Sequence, residues 1–492
     1  MTAAGSGTGR AAVIGCGVIG AGWAARFLLN GWDVSVFDPD PGAERKLRAV
    51  LENARLALPS LTDRMLPPEG HWEFSPCLED AVAGAGWIQE SAPERLDIKR
   101  ALLGELGGRI RADAVIGSST SGFRPSELAE ACPAARQMMV CHPFNPVYLL
   151  PLVEVVAHPG TDPDLLQSAC RTLTDLGMRP LVVRREIDAH IADRFLEAVW
   201  REALWLIQDD VATTAEIDDA IRLGFGLRWA QMGLFETFRI AGGDAGMDHF
   251  LAQFGPCLAL PWTRLMDVPE LTPGLRKAIT QQVEKQSAGS SVIDLERLRD
   301  RNLVAILRAL KAQDAAAGTI LNAHDAFLGQ LEASDADCDR PLLTVARRVP
   351  LDWTDYNGHM NEARYLQVLG DATDRFMEVI GCDAAYIAAG MSYFTAETHI
   401  RHLNELMAGQ GIRVETTCLQ GESRKMRLFH RMVRNDGVLV ATGEHFLLHV
   451  DLSTRRTCPA RPEVADRLRR IFDAHSELGW PEGAGRAIGQ KQ

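Results

Sequence analysis

The sequence lacks the features that would indicate a metal centre, a disulfide framework or a membrane anchor. Its ten cysteines are scattered over 492 residues without a Cys-x-x-Cys pair, a distribution typical of reduced thiols in a cytosol. No apolar run approaches the ~20 residues that a transmembrane helix needs. Residues 1–10 are small and polar and contain no apolar secretory segment. We therefore expect a cytoplasmic protein without a metal site.

Basic residues are scarce relative to acidic ones. The chain has 52 Lys and Arg residues against 65 Asp and Glu residues, so its net charge is -13. This charge argues against nucleic acid or an anionic membrane as the main partner, and we expect small-molecule substrates instead. At roughly 150 residues per domain, the length predicts about three domains.

A glycine-rich turn follows the first predicted strand. The apolar run at 11–14 predicts a buried strand, 21–30 a helix and 34–37 a second strand. The turn between them consists of Gly15, Cys16, Gly17, Val18, Ile19 and Gly20. In such a unit the glycines allow a tight turn, a close approach of backbone to a pyrophosphate, and packing of helix on strand. The helix N-terminus adds donors for the phosphates.

Asp38 closes the second predicted strand, 18 residues after Gly20. A carboxylate there is placed to accept hydrogen bonds from both ribose hydroxyls and would repel a 2′-phosphate. The sequence therefore predicts an NAD site rather than an NADP site. The alternative is a glycine-rich turn in some other α/β protein.

The pattern along the chain predicts an α/β protein of three domains. Strands alternate with helices up to about 186, which indicates a mostly parallel, doubly wound sheet. Strand signals then vanish until about 342, where a strand, a long helix and four further strands follow in the order typical of a hotdog fold. The predicted parts are a Rossmann domain (1–186), an all-helical domain (187–331), a linker (332–341), an α+β hotdog domain (342–476) and a flexible tail (477–492).

Ordered motifs over about 10–325 resemble the 3-hydroxyacyl-CoA dehydrogenase superfamily. They occupy 94–99, 118–121, 142–146 and 152–154. The resemblance implies that His142 is the general base, that Glu154 is its partner and that Ser121 holds the substrate hydroxyl. It also implies that the nicotinamide side of the cofactor is surrounded by Glu94, Lys99 and Asn145.

The chemistry of His142 supports this role without the family. Oxidation of a secondary alcohol removes a proton from oxygen as a hydride leaves carbon, and histidine titrates near neutrality. A carboxylate on the other ring nitrogen fixes the tautomer and favours the imidazolium. Positioned acid–base help of this kind contributes about 10²–10⁴ in rate. The alternative is a structural histidine at a strand end.

Asp193 departs from the superfamily pattern, because the acyl-CoA enzymes have asparagine at this position. Asparagine offers a neutral donor, whereas an aspartate offers a carboxylate, or a donor only when it is protonated. We therefore count Asp193 among the catalytic candidates and expect a substrate that differs from an ordinary acyl-CoA. The alternative is a surface acid on a helix.

Residues 192–254 resemble the small-hydroxy-acid relatives of this superfamily, the gulonate dehydrogenases (lambda-crystallin) and, more closely, the L-carnitine dehydrogenases. The resemblance implies oxidation of L-carnitine to 3-dehydrocarnitine. Aromatic faces hold a trimethylammonium group by cation–π attraction, worth roughly 2 kcal/mol when desolvated. Candidates for such a cage are Trp229, Phe235 and Phe238, with charge from Asp193 or Glu197. The alternatives are core aromatics, and a gulonate- or 3-hydroxybutyryl-type substrate.

Residues 342–475 resemble the hotdog thioesterases of the hydroxybenzoyl-CoA branch, on the strength of the motifs at 355–361 and 363–366. The resemblance implies that Asp355 is the nucleophile or general base. The backbone at Gly358 and His359 would polarise the thioester carbonyl, and each such donor contributes ~3 kcal/mol. The alternative is a hotdog that only oligomerises. His399, His402, His445 and His449 are expected on sheet faces rather than on a metal.

Together the two resemblances imply two steps of carnitine degradation on one chain, the second being release of glycine betaine from betainyl-CoA. A thioesterase for another acyl-CoA is the alternative. Both families also imply a homodimer or a higher homo-oligomer.

Overall fold

The structure is a computed structural model. It describes residues 9–106, 110–241, 246–254, 263–264, 270, 272–286, 291–332, 340–350, 353–355 and 357–486. Two compact units are present, one of Met1–Ala54 with Pro68–His324 and one of Arg55–Pro67 with Asp325–Gln492. Most of the predicted linker, 333–339, lies outside the described residues.

The first unit is built on an eight-stranded sheet with the order β3-β2-β1-β4-β5-β6-β7-β8. Neighbouring strands are parallel except for β6 and β7, which confirms the mostly parallel, doubly wound sheet. Apolar strands such as β1 are buried because helices cover the sheet. The strands are β1 (Arg10–Ile14), β2 (Asp33–Phe37), β3 (Trp72–Phe74), β4 (Trp87–Glu90), β5 (Val115–Ser118), β6 (Met138–Pro143), β7 (Leu152–Ala157) and β8 (Arg179–Val182).

Six helices accompany these strands in the described sequence. They are α1 (Val18–Leu28), α2 (Ala43–Ala57), α3 (Leu78–Val82), α4 (Leu96–Glu105), α5 (Pro125–Ala129) and α6 (Pro163–Asp175). Leu103 of α4 is fully buried and belongs to one cluster with Ile88 of β4 and Ile116 of β5. This packing positions the loops that follow β4 and β5.

The chain is helical from α7 to α13, and the described residues between β8 and 342 contain no strand, as predicted. These helices are α7 (Ala192–Gln208), α8 (Thr214–Ala220), α9 (Gly226–Ala241), α10 (Gly246–Phe254), α11 (Pro273–Gln286), α12 (Val292–Ala312) and α13 (Ala317–Glu332). Helix α7 exposes large apolar residues, among them Phe195 (56%), Leu196 (58%) and Trp200 (57%). Within the described sequence, every helix is too short or too polar to cross a membrane.

The second unit contains an antiparallel sheet with the order β10-β13-β12-β11-β9, and β14 pairs with β13. Helix α14 buries Leu369 and Phe376 completely in the two cores of this unit. The predicted helix and antiparallel sheet are thus confirmed. The elements are β9 (Leu342–Arg348), α14 (Glu362–Val379), α15 (Ala384–Ala388), β10 (Met391–His402), β11 (Gly411–Glu422), β12 (Lys425–Arg434), β13 (Leu439–Asp451), β14 (Arg456–Thr457) and α16 (Pro462–Ser476).

Two parts of the second unit differ from the sequence-based expectation. Arg55–Pro67, assigned from sequence to the first domain, groups with the second unit. There the Arg64 guanidinium donates to both oxygens of Glu378 at 2.5 Å. The structure describes 477–486 of the stretch expected to form a flexible tail, and there the Gly485 amide donates to Glu444 at 2.7 Å.

Candidate active sites

The glycine turn has the geometry that a dinucleotide requires. Gly15 has φ +87°, and a Cβ at Gly20 would lie 1.8 Å from the Gly15 carbonyl oxygen. Positive φ and close backbone approach both exclude a larger residue. A Cβ at Gly17 would meet open space, so backbone there is accessible to a ligand. Val18 and Ile19 open helix α1, whose N-terminal amides follow this turn.

Asp38 lies directly after β2 and is tied to the turn. Its Oδ2 accepts from the Cys16 amide at 2.6 Å, and its Oδ1 accepts from the Asp40 amide at 2.7 Å. Burial, helped by the Asp38 charge, raises the pKa of the Cys16 thiol to about 12. Cys16 is therefore a neutral packing residue, and two backbone amides hold the Asp38 side chain in place.

Glu94 and Lys99 belong to one hydrogen-bonded network at the loops that follow β4 and β5. Oε1 of Glu94 accepts from the hydroxyl of Thr120 and from the amides of Ser121 and Gly122. Burial opposes the charge, but these bonds and Lys99 hold the pKa of Glu94 below its ordinary value. Glu94 therefore fixes the Ser121 loop, in addition to any contact with a cofactor.

Lys99 is 1% exposed, and its ammonium lies 2.9 Å from Glu90 Oε1 and 3.3 Å from Glu94 Oε2. Glu90 ends β4, is fully buried, and also accepts from Ser118 at 2.5 Å. Glu90 was not predicted from sequence as a site residue. The available signal was an acidic residue at the end of an apolar strand, nine residues before a lysine.

His142 ends its strand next to a carboxylate because of the register of β6 and β7. The two antiparallel strands pair His142 directly with Glu154, and Nδ1 of the imidazole lies 3.0 Å from Glu154 Oε2. On the other side, Nε2 lies 3.2 Å from the Ser121 hydroxyl. The structure thus brings the predicted base, its partner and the predicted hydroxyl ligand together.

Glu154 is fully buried and is also held by backbone. Its Oε1 accepts from the amides of Ile191 and Ala192 at 2.9 and 3.0 Å. Burial raises the pKa of Glu154, but His142 and these amides outweigh it and hold the pKa below the ordinary value. Glu154 is therefore a carboxylate, which suits a partner for an imidazolium.

A second histidine, His190, lies against the first and was not identified from sequence. It is fully buried, its ring centre is 5.7 Å from that of His142, and its Nε2 donates to the Thr120 carbonyl at 3.2 Å. Its φ of +46° follows a φ of +56° at Ala189, which is rare for non-glycine residues. Burial lowers the pKa of His190, so this imidazole is neutral.

Asp193 lies in the first turn of α7, and its Oδ2 is 3.8 Å from His142 Nε2. Its side chain is 18% exposed and shares a hydrogen bond with Ser121. Burial raises the pKa of Asp193, and His142 acts in the opposite direction. The departure from the superfamily pattern therefore lies within the site rather than on a remote surface.

The aromatic residues predicted to form the trimethylammonium cage either pack on other aromatic rings or are exposed. Trp229 packs on Phe225 with ring centres 4.6 Å apart, Phe238 stacks on Phe250 at 4.6 Å, and Phe235 is 69% exposed. The phenyl ring in contact with His142 is that of Phe144, at 4.9 Å. Asn145, next to it, is exposed.

Asp355 is held by the loop that precedes α14. Its Oδ1 accepts from the amides of Asn357 at 2.8 Å and His359 at 3.3 Å, and the Gly358 amide donates to the Asp355 carbonyl at 3.0 Å. Gly358 has φ +80°, which a side chain would strain. The predicted carbonyl-polarising amides thus bond within the loop in this conformation. The His359 ring pairs with Glu405 at 3.2 Å.

Three histidines of the hotdog sheet contact hydroxyl groups of neighbouring side chains. His445 and His430 both contact the Thr373 hydroxyl, at 2.9 and 3.0 Å, and His449 contacts Tyr386 at 2.9 Å. In the described part of the chain, no three His, Cys, Asp or Glu side chains are grouped as metal ligands.

Comparison with known families finds matches in three segments of the chain. Residues 10–187 match the 3-hydroxyacyl-CoA dehydrogenase NAD binding domain, and residues 190–267 match the C-terminal domain of the same enzymes. Residues 349–468 match the thioesterase-like superfamily. The chain therefore carries an NAD-binding dehydrogenase part and a thioesterase-like part.

Relatives of known name match over nearly the whole length. The L-carnitine dehydrogenase/betainyl-CoA thioesterase of Ruegeria pomeroyi is 60% identical over 97% of this chain and 99% of that protein. The Agrobacterium fabrum protein of the same name is 52% identical over 97% of both chains. The solved structure of an FHMPC 5-dehydrogenase, an NAD+ dependent dismutase, is 26% identical with a TM-score of 0.52 over 62% of this chain and 99% of that one. The chain belongs to the L-carnitine dehydrogenase/betainyl-CoA thioesterase family.

Proposed function

We propose that the first unit oxidises L-carnitine to 3-dehydrocarnitine with NAD. The observation that carries this proposal is the position of His142, whose two ring nitrogens face Ser121 and Glu154. Together with the family, this arrangement supports removal of a proton from a secondary alcohol.

The glycine turn fits NAD. Gly17 leaves open space above its backbone, and Asp38 supplies a carboxylate for ribose hydroxyls at the end of β2. We propose that these groups bind the nucleotide together with the rest of the turn, and that Glu94, Lys99 and Asn145 complete the nicotinamide side. When bound, NAD supplies the ring that accepts a hydride.

The residues of this chain handle the proton. We propose that the substrate hydroxyl binds between Ser121 and His142, and that Nε2 of His142 takes the hydroxyl proton as the carbonyl forms. The carboxylate of Glu154 then stabilises the imidazolium through Nδ1. Phe144 contacts one side of the His142 imidazole. The proposed aromatic contacts of the trimethylammonium group remain Trp229, Phe235 and Phe238.

Initial rates of NADH formation test this proposal. We expect oxidation of L-carnitine, and a fall in kcat of about 10²–10⁴ in His142→Asn with NAD affinity unchanged. Leu56→Ala, in the second unit, serves as the control. Oxidation of gulonate or 3-hydroxybutyryl-CoA without oxidation of L-carnitine would reject the substrate.

We propose that the second unit hydrolyses betainyl-CoA to glycine betaine and CoA. Asp355 is the proposed nucleophile or base, and two amides orient its carboxylate from one side. Gly358 and His359 are the proposed carbonyl-polarising residues. Because their amides bond within the loop here, the loop must turn one of these amides toward the bound thioester before it can polarise the carbonyl.

Release of free thiol from betainyl-CoA tests this second activity. We expect Asp355→Ala to abolish hydrolysis while L-carnitine oxidation stays intact, which also controls for folding. No hydrolysis by the unaltered chain would support a hotdog that only oligomerises, and hydrolysis of other acyl-CoA esters alone would reject the acyl group.

We further propose a cytoplasmic homodimer or higher homo-oligomer, with domain limits as the sequence pattern predicts except that Arg55–Pro67 groups with the second unit. The exposed apolar side chains of α7, such as Phe195 and Trp200, support burial against a second copy. The free thiols of the described cysteines support a reducing compartment. Light scattering is the direct test of the oligomer, and a monomer at micromolar concentration would reject it.

A further inference from the structure

Asp193 is a half-buried carboxylate beside the proton-accepting nitrogen. Its Oδ2 lies 3.8 Å from His142 Nε2, and it shares a hydrogen bond with Ser121. The ionisable groups that shift the pKa of Asp193 are His142, Glu154 and His190. None of these is a permanent cation, and a buried carboxylate without one is costly. The site therefore has negative charge available for a ligand.

The structure of L-carnitine places its cation within reach of this charge. The trimethylammonium group is attached to the carbon next to the one that bears the hydroxyl, and the carboxylate arm is attached on the other side. If the hydroxyl binds between Ser121 and His142, one of the two arms lies on the Asp193 side. Coulomb attraction favours the cationic arm there and disfavours the carboxylate arm. A trimethylammonium group cannot donate hydrogen bonds, so a nearby charge suits it.

We propose that Asp193 is a specificity-determining residue, whose carboxylate binds the cationic arm of the substrate and so selects a 3-hydroxy acid with a cationic arm over one of the same shape with a neutral arm. This inference rests on the proposed oxidation of L-carnitine. It assigns the charge selection to Asp193 rather than to Glu197, one helical turn further along α7, which lies 3.6 Å from Arg201.

The direction of the pKa shift of Asp193 gives the selection a pH dependence. Burial raises this pKa, His142 lowers it and Glu154 raises it. The groups that face Asp193 are His142 on β6, Glu154 on β7, Ser121 after β5 and His190 before α7. As the pH falls through the raised pKa, the carboxylate is lost. The KM for L-carnitine should then rise, while the KM for an analogue with a neutral arm should not.

The test compares L-carnitine with 3-hydroxy-5,5-dimethylhexanoate, in which a tert-butyl group replaces trimethylammonium without a change of shape. We expect the unaltered protein to prefer L-carnitine in kcat/KM by about 10- to 100-fold. In Asp193→Asn the preference should fall to about threefold or less, chiefly through KM. Asp193→Glu, which keeps the charge, should retain most of it.

Two further variants control the comparison. Asp188→Asn removes a carboxylate that is 75% exposed and paired with Arg124, and we expect the preference to be unchanged. A loss of preference in Glu197→Gln, with none in Asp193→Asn, would overturn the assignment. So would an equal fall in kcat for both substrates in Asp193→Asn, because that result indicates a role in proton transfer alone.

The outcomes separate this inference from the proposed function. If the unaltered protein does not oxidise L-carnitine, the proposed function fails. If it oxidises L-carnitine and Asp193→Asn keeps the full preference, only the role of Asp193 fails. Unchanged NAD affinity in Asp193→Asn establishes that the variant is folded, and Asp193→Glu supplies the second measurement if it is not.

Discussion

The side chains that contact His142 are distant from it in sequence, whereas the amides that contact Asp355 are close to it in sequence. Nδ1 of His142 meets a carboxylate 12 residues away on another strand, and Nε2 meets a hydroxyl 21 residues away in another loop. Oδ1 of Asp355 accepts from amides only two and four residues away. His142 is 5% exposed, whereas Asn357 and Gly358 of the second loop are exposed. The first site therefore depends on tertiary packing and the second mainly on local turn geometry.

Apart from substitution of His142 or Asp355 themselves, the largest expected effect comes from removing the carboxylate charge of Glu154, the long-range partner of His142. In Glu154→Gln, the imidazole keeps a neighbour of the same size but loses the carboxylate that favours the imidazolium. We expect kcat for L-carnitine oxidation to fall by about 10²–10³, measured as NADH formation under saturating substrate. Betainyl-CoA hydrolysis by the same sample is the control and should be unchanged. A fall below threefold would mean that Glu154 does not assist the base.

Sequence motifs predicted candidate residues for both sites, but for different reasons. The Asp355 loop is one continuous segment, so its motif contains every group that orients the carboxylate. The partnership of His142 and Glu154 followed only from family resemblance, because the antiparallel register of β6 and β7 creates it. No periodicity in the sequence predicts that register.

The residues missed from sequence depend on contacts and backbone conformations that hydrophobic periodicity does not encode. The burial of Glu90 depends on α4 bringing Lys99 over the end of β4, and His190 depends on two consecutive residues with positive φ. The contacts of Arg64 and Asp63 with Glu378 and Arg347 bridge more than 280 residues. Hydrophobic periodicity predicted the helices and strands well because it is a local property, whereas these pairings are not.

A smaller effect is expected in the hotdog core, where the Thr373 hydroxyl contacts two buried imidazoles. It donates its single proton to the Leu369 carbonyl, so His430 and His445 both donate to its oxygen. Thr373→Val leaves two buried donors unpaired, and we expect the free energy of unfolding to fall by about 2–4 kcal/mol. Chemical denaturation followed by circular dichroism measures the change. Thr373→Ser, which keeps the hydroxyl, should lose clearly less, and equal losses would contradict the assignment.

Mild acid should affect the second unit more than the first. Burial lowers the pKa of four histidines there, with His445 at about 4 and His430, His449 and His475 also lowered. In the described part of the first unit, only His190 and His324 have lowered pKa values, and that of His324 falls to about 3. Below pH ~6.5 these histidines bind protons in the unfolded state but not in the folded state, so the free energy of unfolding falls as the pH drops.

Each such histidine costs up to ~1.4 kcal/mol per pH unit until its folded pKa is reached. Hydrogen exchange of peptides from β12 and β13 should therefore accelerate between about pH 6.5 and pH 5, corrected for the intrinsic pH dependence, more than exchange from β5 and β6. Carboxylates with lowered pKa values, such as Glu154, lose their contribution only at lower pH. Equal acceleration in both units above pH 5 would contradict this explanation.

The smallest expected effect concerns the segment that joins the hotdog unit from the first part of the chain. Arg64 donates two hydrogen bonds to Glu378, and burial opposes but does not outweigh this pairing, so the pKa of Glu378 stays below its ordinary value. Both side chains are about a quarter to a third exposed, so solvent screening limits the gain. We expect Arg64→Met to lower the free energy of unfolding by about 1 kcal/mol. Arg95→Met, which breaks the exposed pair with Asp97, should change it by less than about half as much. If Arg64→Met also slows betainyl-CoA hydrolysis, then residues 55–67 support the second active site, and a fragment limited to the predicted hotdog domain, 342–476, would lack part of its own fold.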